Sequence, residues 1–130
     1  MPNRRRGPIL LVDDEKSVLD VTRMILEHFG FLVIAADGGV EALNRFGRHR
    51  AEIQIVILDL TMPDMEGAEV FRRIREVRPG IPILLSSGYT AASVPPELAR
   101  QPGTGFLQKP YRAAALIGKI EELIGSTGPA

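Results

Sequence analysis

Asp13, Asp14, Asp59, Ser87 and Lys109 each end or directly follow a short apolar run, and together they hold the chemistry this sequence has to offer. The runs are PILLV, IQIVIL, IPILL and GFLQ. If these are strands that end on one edge, three carboxylates meet there. At about 4 to 5 Å and an effective dielectric near 20, each carboxylate pair repels by about 3 to 4 kcal/mol, so a cationic partner is expected. A set of hard oxygens short of a complete cage suits Mg²⁺ with several retained waters. Lys109 adds a compact positive charge and Ser87 a hydroxyl donor, both suited to phosphoryl oxygens. Such groups stabilise charge on a transferring phosphoryl group while one carboxylate acts as nucleophile. The residues therefore suggest an aspartyl-phosphate site.

The elements that must position these groups alternate along the chain. Val18, Thr22, Ile25 and Phe29, with Leu19 and Leu26 beside them, predict a helix from about Glu15 to Phe29 that ends at Gly30. Phe31 to Ala36 reads as a strand, and Asp37 as the N-cap of a helix through Val40, Leu43 and Phe46. Ile53 to Leu58 is continuously apolar, as a strand buried on both faces should be. Val70, Phe71, Ile74 and Val77 stripe a helix from about Glu66 that Pro79-Gly80 ends. Its arginines, Arg72, Arg73, Arg75 and Arg78, read as a solvated face. Ile81 to Ser86 and Gly105 to Gln108 are the remaining strands, and Leu116, Ile117, Ile120, Leu123 and Ile124 stripe a closing helix. Between those strands, Pro95-Pro96 allows only a short or irregular helix.

Five βα units imply right-handed crossovers and an α/β fold, a doubly wound five-stranded parallel sheet with helices on both faces. Ligands of such sheets sit outside the carboxyl ends of the strands where strand order reverses. For the order 2-1-3-4-5 the reversal lies between strands one and three, which end at Asp13-Asp14 and Asp59.

With 130 residues, 45% hydrophobic and 25% charged, the chain has the composition of one domain with its own core. The expected boundaries are a basic tail over 1–7, a folded domain over 8–124 and a flexible tail over 125–130. Formal net charge is zero, so no global field draws the protein to nucleic acid or to an anionic membrane. The Arg4, Arg5, Arg6 cluster reads as solvated tail, with nucleic-acid anchoring as its alternative. No apolar run approaches the roughly 18 residues of a membrane span, and MPNRRRGP lacks the apolar segment of a signal peptide. With no Cys, disulfides and Cys-based metal sites are excluded. A soluble, cytoplasmic protein is expected.

The segments VDDE (Val12 to Glu15), DGGVEAL (Asp37 to Leu43), LDLTMPDMEG (Leu58 to Gly67), PILLSSGYT (Pro82 to Thr90) and GFLQKPY (Gly105 to Tyr111) resemble, in order and spacing, the receiver domain of bacterial two-component response regulators. The resemblance implies the flavodoxin-like order 2-1-3-4-5 and a phosphoacceptor switch rather than an enzyme, with self-catalysed phosphoryl transfer and slow autodephosphorylation. It implies that Asp59 accepts a phosphoryl group from the phosphohistidine of a sensor histidine kinase or histidine phosphotransfer protein. Asp13, Asp14, Asp59 and the Thr61 carbonyl would hold Mg²⁺, and Ser87 and Lys109 would contact the phosphoryl oxygens. Ser87 and Phe106 would switch the surface read by a downstream output protein or domain. Tyr89 and Thr61 would flank the path of attacking water, and Lys109-Pro110 would be cis. A homodimer formed on phosphorylation belongs to the same set of expectations, although Pro95-Pro96 interrupts the helix-four surface such dimers use.

Taken singly, these residues have blander readings. Asp14 fits a helix N-cap, Ser87 a turn residue, Lys109 a surface amine and Phe106 a core aromatic. Their joint placement at strand ends argues against independent accidents. Among rival functions, an aspartyl phosphohydrolase resembles D-x-D-x-[TV], but Thr61 stands at the second Asp position. A flavin-binding protein would need small hydroxyl residues where Asp13-Asp14-Glu15 stands. LLSSGYT and GFLQKPY look more like the receiver of a hybrid sensor histidine kinase than like a stand-alone chemotaxis protein, whereas a start at Met1 suggests a free-standing chain.

Overall fold

The computed structural model describes residues 6–62 and 67–127. Its elements in chain order are β1 (Arg6–Val12), α1 (Lys16–His28), β2 (Phe31–Ala36), α2 (Gly39–His49), β3 (Ile55–Asp59), α3 (Gly67–Val77), β4 (Ile83–Ser87), a 3-10 turn (Ala91–Ser93), α4 (Pro96–Ala99), β5 (Thr104–Gln108) and α5 (Ala113–Thr127). The strands form one parallel sheet in the order β2-β1-β3-β4-β5. This is the expected α/β topology.

Alternation along the strands divides the interior in two. Leu10, Val12, Val56, Leu58, Ile83 and Leu85 face α2, α3 and α4, where Phe46, Val70, Phe71, Ile74 and Leu98 complete one core. Ile9, Leu11, Ile55, Ile57 and Leu84 face α1 and α5, meeting Leu19, Leu26, Leu116, Ile117, Ile120 and Leu123. Every residue of β3 and β4 is buried, as expected for strands covered on both faces.

Several local expectations are corrected. Gly38, not Asp37, is the N-cap of α2, and Val40 points into solvent, as do Phe29 and Val77. Arg6 and Gly7 belong to β1, where Arg6 is in register with Phe31, so the expected tail over 1–7 loses its last two residues; 1–5 lie outside the described residues. Helix α5 continues to Thr127 rather than yielding to a tail at Gly125, because no proline stops it before Pro129. The region around Pro95-Pro96 does form only a 3-10 turn and the single turn of α4.

The arginines of α3 are not one solvated face. Arg75 is buried, lies over the Phe71 ring, and donates to the carbonyls of Pro79, Ile81 and Pro102 and to Thr104 Oγ1. Arg78 donates to the carbonyls of Arg50 and Ile53. Both tie the helix to the ends of strands and loops at the edge of the sheet opposite the carboxylates. Arg72 and Arg73 do lie at the surface, where Arg72 pairs with Glu69 and Glu97 and Arg73 with Glu69.

Candidate functional site

β1, β3 and β4 run in register, and that register brings the site together. Val12 pairs with Leu58, Asp59 with Ser86 and Ser87 with Gln108, so Asp13, Asp59, Ser87 and Lys109 emerge along one edge. Backbone bonds fix each end: the Asp13 N–H donates to Ala36 O, Leu60 to Ser86 O and Lys109 to Ser87 O. Gly67 opens α3 directly against this edge, and a Cβ there would lie 2.5 Å from both Asp59 O and Leu60 Cα. Only glycine permits that approach.

At the centre, Lys109 Nζ lies 2.7 Å from Asp13 Oδ2, 3.6 Å from Asp59 Oδ1 and 4.0 Å from Glu15 Oε1. Asp13, Asp59 and Ser87 are buried, whereas Asp14 and Thr61 are exposed. Asp59 Oδ1 accepts from the Thr61 N–H, Asp13 Oδ1 from the Glu15 N–H, and Ser87 Oγ from the Tyr89 N–H. Glu15 rather than Asp14 is the N-cap of α1, which leaves the Asp14 carboxylate without a capping role.

Burial pushes the Asp59 carboxyl up to about 6; the Thr61 N–H and Lys109 oppose this, while Asp13 and Asp14 add to it. Burial also works against the Lys109 charge, but the hydrogen bond and charge of Asp13, with Asp59 and Glu15, outweigh it and hold the ammonium above its ordinary range. The repulsion expected between carboxylates is therefore present and only partly offset. Carboxylate oxygens of Asp13, Asp14 and Asp59 lie within 4.8 Å of one another, and the Asp14 side chain is exposed. An all-carboxylate, partly open set of this kind fits a hard divalent cation that keeps waters.

The response regulator receiver domain model matches residues 9–121. The chain belongs to that family. Receiver domains are signalling switches of two-component systems. This one is 32% identical over 124 residues to the transcriptional regulatory protein GlrR of Escherichia coli (strain K12), and 33% identical over 116 residues to the sensor kinase CckA of Brucella abortus. The matches take in 94% and 89% of this chain but only 27% and 12% of those two proteins. A receiver domain protein from Clostridium thermocellum superposes with a TM-score of 0.84 at 29% identity, over 93% of this chain and 96% of that one.

The receiver site extends beyond the residues expected from sequence. A cleft of about 870 Å³ opens over Asp59 between α1 and the loops after β4 and β5. Glu15 joins the charge network through Lys109, a role its place in the acidic run signalled. Tyr111 was part of a recognised segment, yet nothing in its type predicted that its hydroxyl would meet Thr22 Oγ1 of α1 at 3.4 Å. Burial raises the Tyr111 hydroxyl pKa, with Thr22 opposing. Phe106 is half-buried against the core on the α3–α4 side, not fully enclosed. Lys109-Pro110 is cis. Among the described residues, no helix is long and apolar enough to cross a membrane.

Proposed function

We propose that this receiver domain takes a phosphoryl group onto Asp59 from the phosphohistidine of a sensor histidine kinase or histidine phosphotransfer protein, in a Mg²⁺-dependent reaction. One observation carries the reading: a buried, poorly stabilised carboxylate lies at the floor of an open cleft, with an ammonium 3.6 Å away. Asp59 supplies the attacking oxygen. Lys109 and the Ser87 hydroxyl bind the phosphoryl oxygens, and Asp13, Asp14, Asp59 and the Thr61 carbonyl hold Mg²⁺, which neutralises charge on the transferring group. Ser87 and Phe106 then couple occupancy to the surface. Because α4 is a single turn, the output partner reads mainly β5 and α5 rather than a helix-four dimer face. The location is cytoplasmic, where such kinases present their phosphohistidines.

The match to the sensor kinase CckA supports a second placement, as the receiver of a hybrid sensor histidine kinase. The chemistry at Asp59 is the same in either setting. An aspartyl phosphohydrolase is disfavoured, since Thr61 offers no general acid.

Incubation with a small phosphoryl donor and Mg²⁺, followed by intact mass, tests the reading. The expected result is a Mg²⁺-dependent gain of one phosphoryl group that Asp59→Asn abolishes. No gain, or an equal gain in the variant, overturns it.

A further inference from the structure

The cleft over Asp59 has a charged floor and an apolar wall. Val18, Val21 and Ile25 of α1 line it together with Pro110 and Tyr111 of the loop after β5. Elsewhere on α1 the outward positions carry the ion pairs Lys16 with Asp20 and Arg23 with Glu27, and one apolar side chain, Met24, that does not line the cleft. Val21 is 57% exposed and lines the same cleft as Asp14 and Asp59. Phosphoryl transfer places the leaving oxygen in line with the attacking one and on the opposite side of phosphorus. Asp59 is 3% exposed at the bottom of the cleft, so the leaving group departs into its open part, which this wall bounds on the α1 side.

We propose that this site discriminates among acyl phosphates by the acyl tail, favouring propionyl and butyryl phosphate over acetyl phosphate. The inference rests on Asp59 being the phosphoacceptor. An Asp59 carboxylate oxygen bonds to phosphorus, the bond between phosphorus and the bridging acyl oxygen breaks, and the tail departs as a free carboxylate. No proton or co-reactant is consumed. Acetate and butyrate are nearly equal as leaving groups, so a difference in rate reports the wall. A volume of about 870 Å³ is ample for such a donor.

The test compares second-order phosphorylation constants of the full chain with Mg²⁺ for acetyl and butyryl phosphate, read by intact mass. Burying part of two added methylenes predicts a constant about threefold to tenfold higher for butyryl phosphate. Val21→Ser should bring that ratio toward one. A second measurement does not depend on turnover: butyrylphosphonate, which cannot transfer its phosphoryl group this way, should shift the Val18, Val21 and Ile25 amides by NMR at lower concentration than acetylphosphonate. Equal constants for the two donors, a ratio untouched by Val21→Ser, or equal phosphonate binding overturns the inference. If acetyl phosphate labels Asp59 and butyryl phosphate does no better, only the wall argument falls. If neither labels it, the phosphoacceptor reading falls as well.

Discussion

Lys109 is held more closely by Asp13 than by Asp59, its ammonium lying 2.7 Å from one carboxylate and 3.6 Å from the other. The amine is thus parked beside a proposed metal ligand and within a short reach of the proposed phosphoacceptor. A point charge on a flexible stem can move between those partners, whereas a planar guanidinium needs a different geometry. Lys109→Met should lower the rate of Asp59 phosphorylation by about a hundredfold or more, the scale for removing one charge-stabilising group. Lys109→Arg should recover little of it. Phosphorylation time courses followed by intact mass check both.

The raised Asp59 pKa makes a statement about stability. Between its ordinary value of 3.8 and about 6, the folded state binds more protons at this group than the unfolded state does. Its contribution to stability therefore falls as pH rises through that window. Asp59→Asn should be more stable than the parent at pH 7, by about 1 to 2 kcal/mol once the open side of the cleft is allowed for. The gain should shrink below pH 4. Thermal melts at the two pH values measure it, and added Mg²⁺ should raise the melting temperature of the parent more than that of the variant.

Gly67 lies against the backbone of Asp59, the proposed phosphoacceptor. Gly67→Ala must push α3 away from Asp59 and Leu60, at a cost of about 1 to 3 kcal/mol, and should slow phosphorylation by displacing the carboxylate. Gly80→Ala, where a Cβ meets nothing within 4 Å, should shift stability by no more than about 0.5 kcal/mol. Urea melts and phosphorylation rates of the two variants separate a local clash from a general glycine effect.

Tyr89 stands 67% exposed at the mouth of the cleft, its backbone N–H bonded to Ser87 Oγ. A bulky ring here should obstruct water approaching an aspartyl phosphate. Tyr89→Ala should shorten the phosphorylated lifetime several-fold without loss of stability; an unchanged lifetime removes that role.

Arg75 joins α3 to the starts of β4 and β5 through hydrogen bonds to backbone carbonyls and to Thr104. Arg75→Met keeps the stem but leaves those buried acceptors unpaired, which should cost about 2 to 4 kcal/mol. Denaturant unfolding would show it, and a neutral result would mean that water replaces the guanidinium.

Element order and the residues at the strand ends were legible before any coordinates, because alternation, helical period and Gly or Pro punctuation are local properties. Even the short α4 followed from Pro95-Pro96. Arg75 was misread because an arginine in a row of arginines looks solvated, and its carbonyl partners come from loops distant in sequence. Asp37 was misplaced as a cap for the opposite reason: its type suits the role, but the backbone assigns it to Gly38.

The sequence by itself determined that Asp13, Asp14, Asp59, Ser87 and Lys109 would share the carboxyl edge of a parallel sheet, since strand polarity and crossover handedness leave few other arrangements. Only the tertiary structure decided which carboxylate Lys109 holds, how far burial raises Asp59, and that an apolar wall of α1 stands beside them. Those facts depend on ångström-scale separations between segments far apart in the chain, and no local pattern encodes such distances.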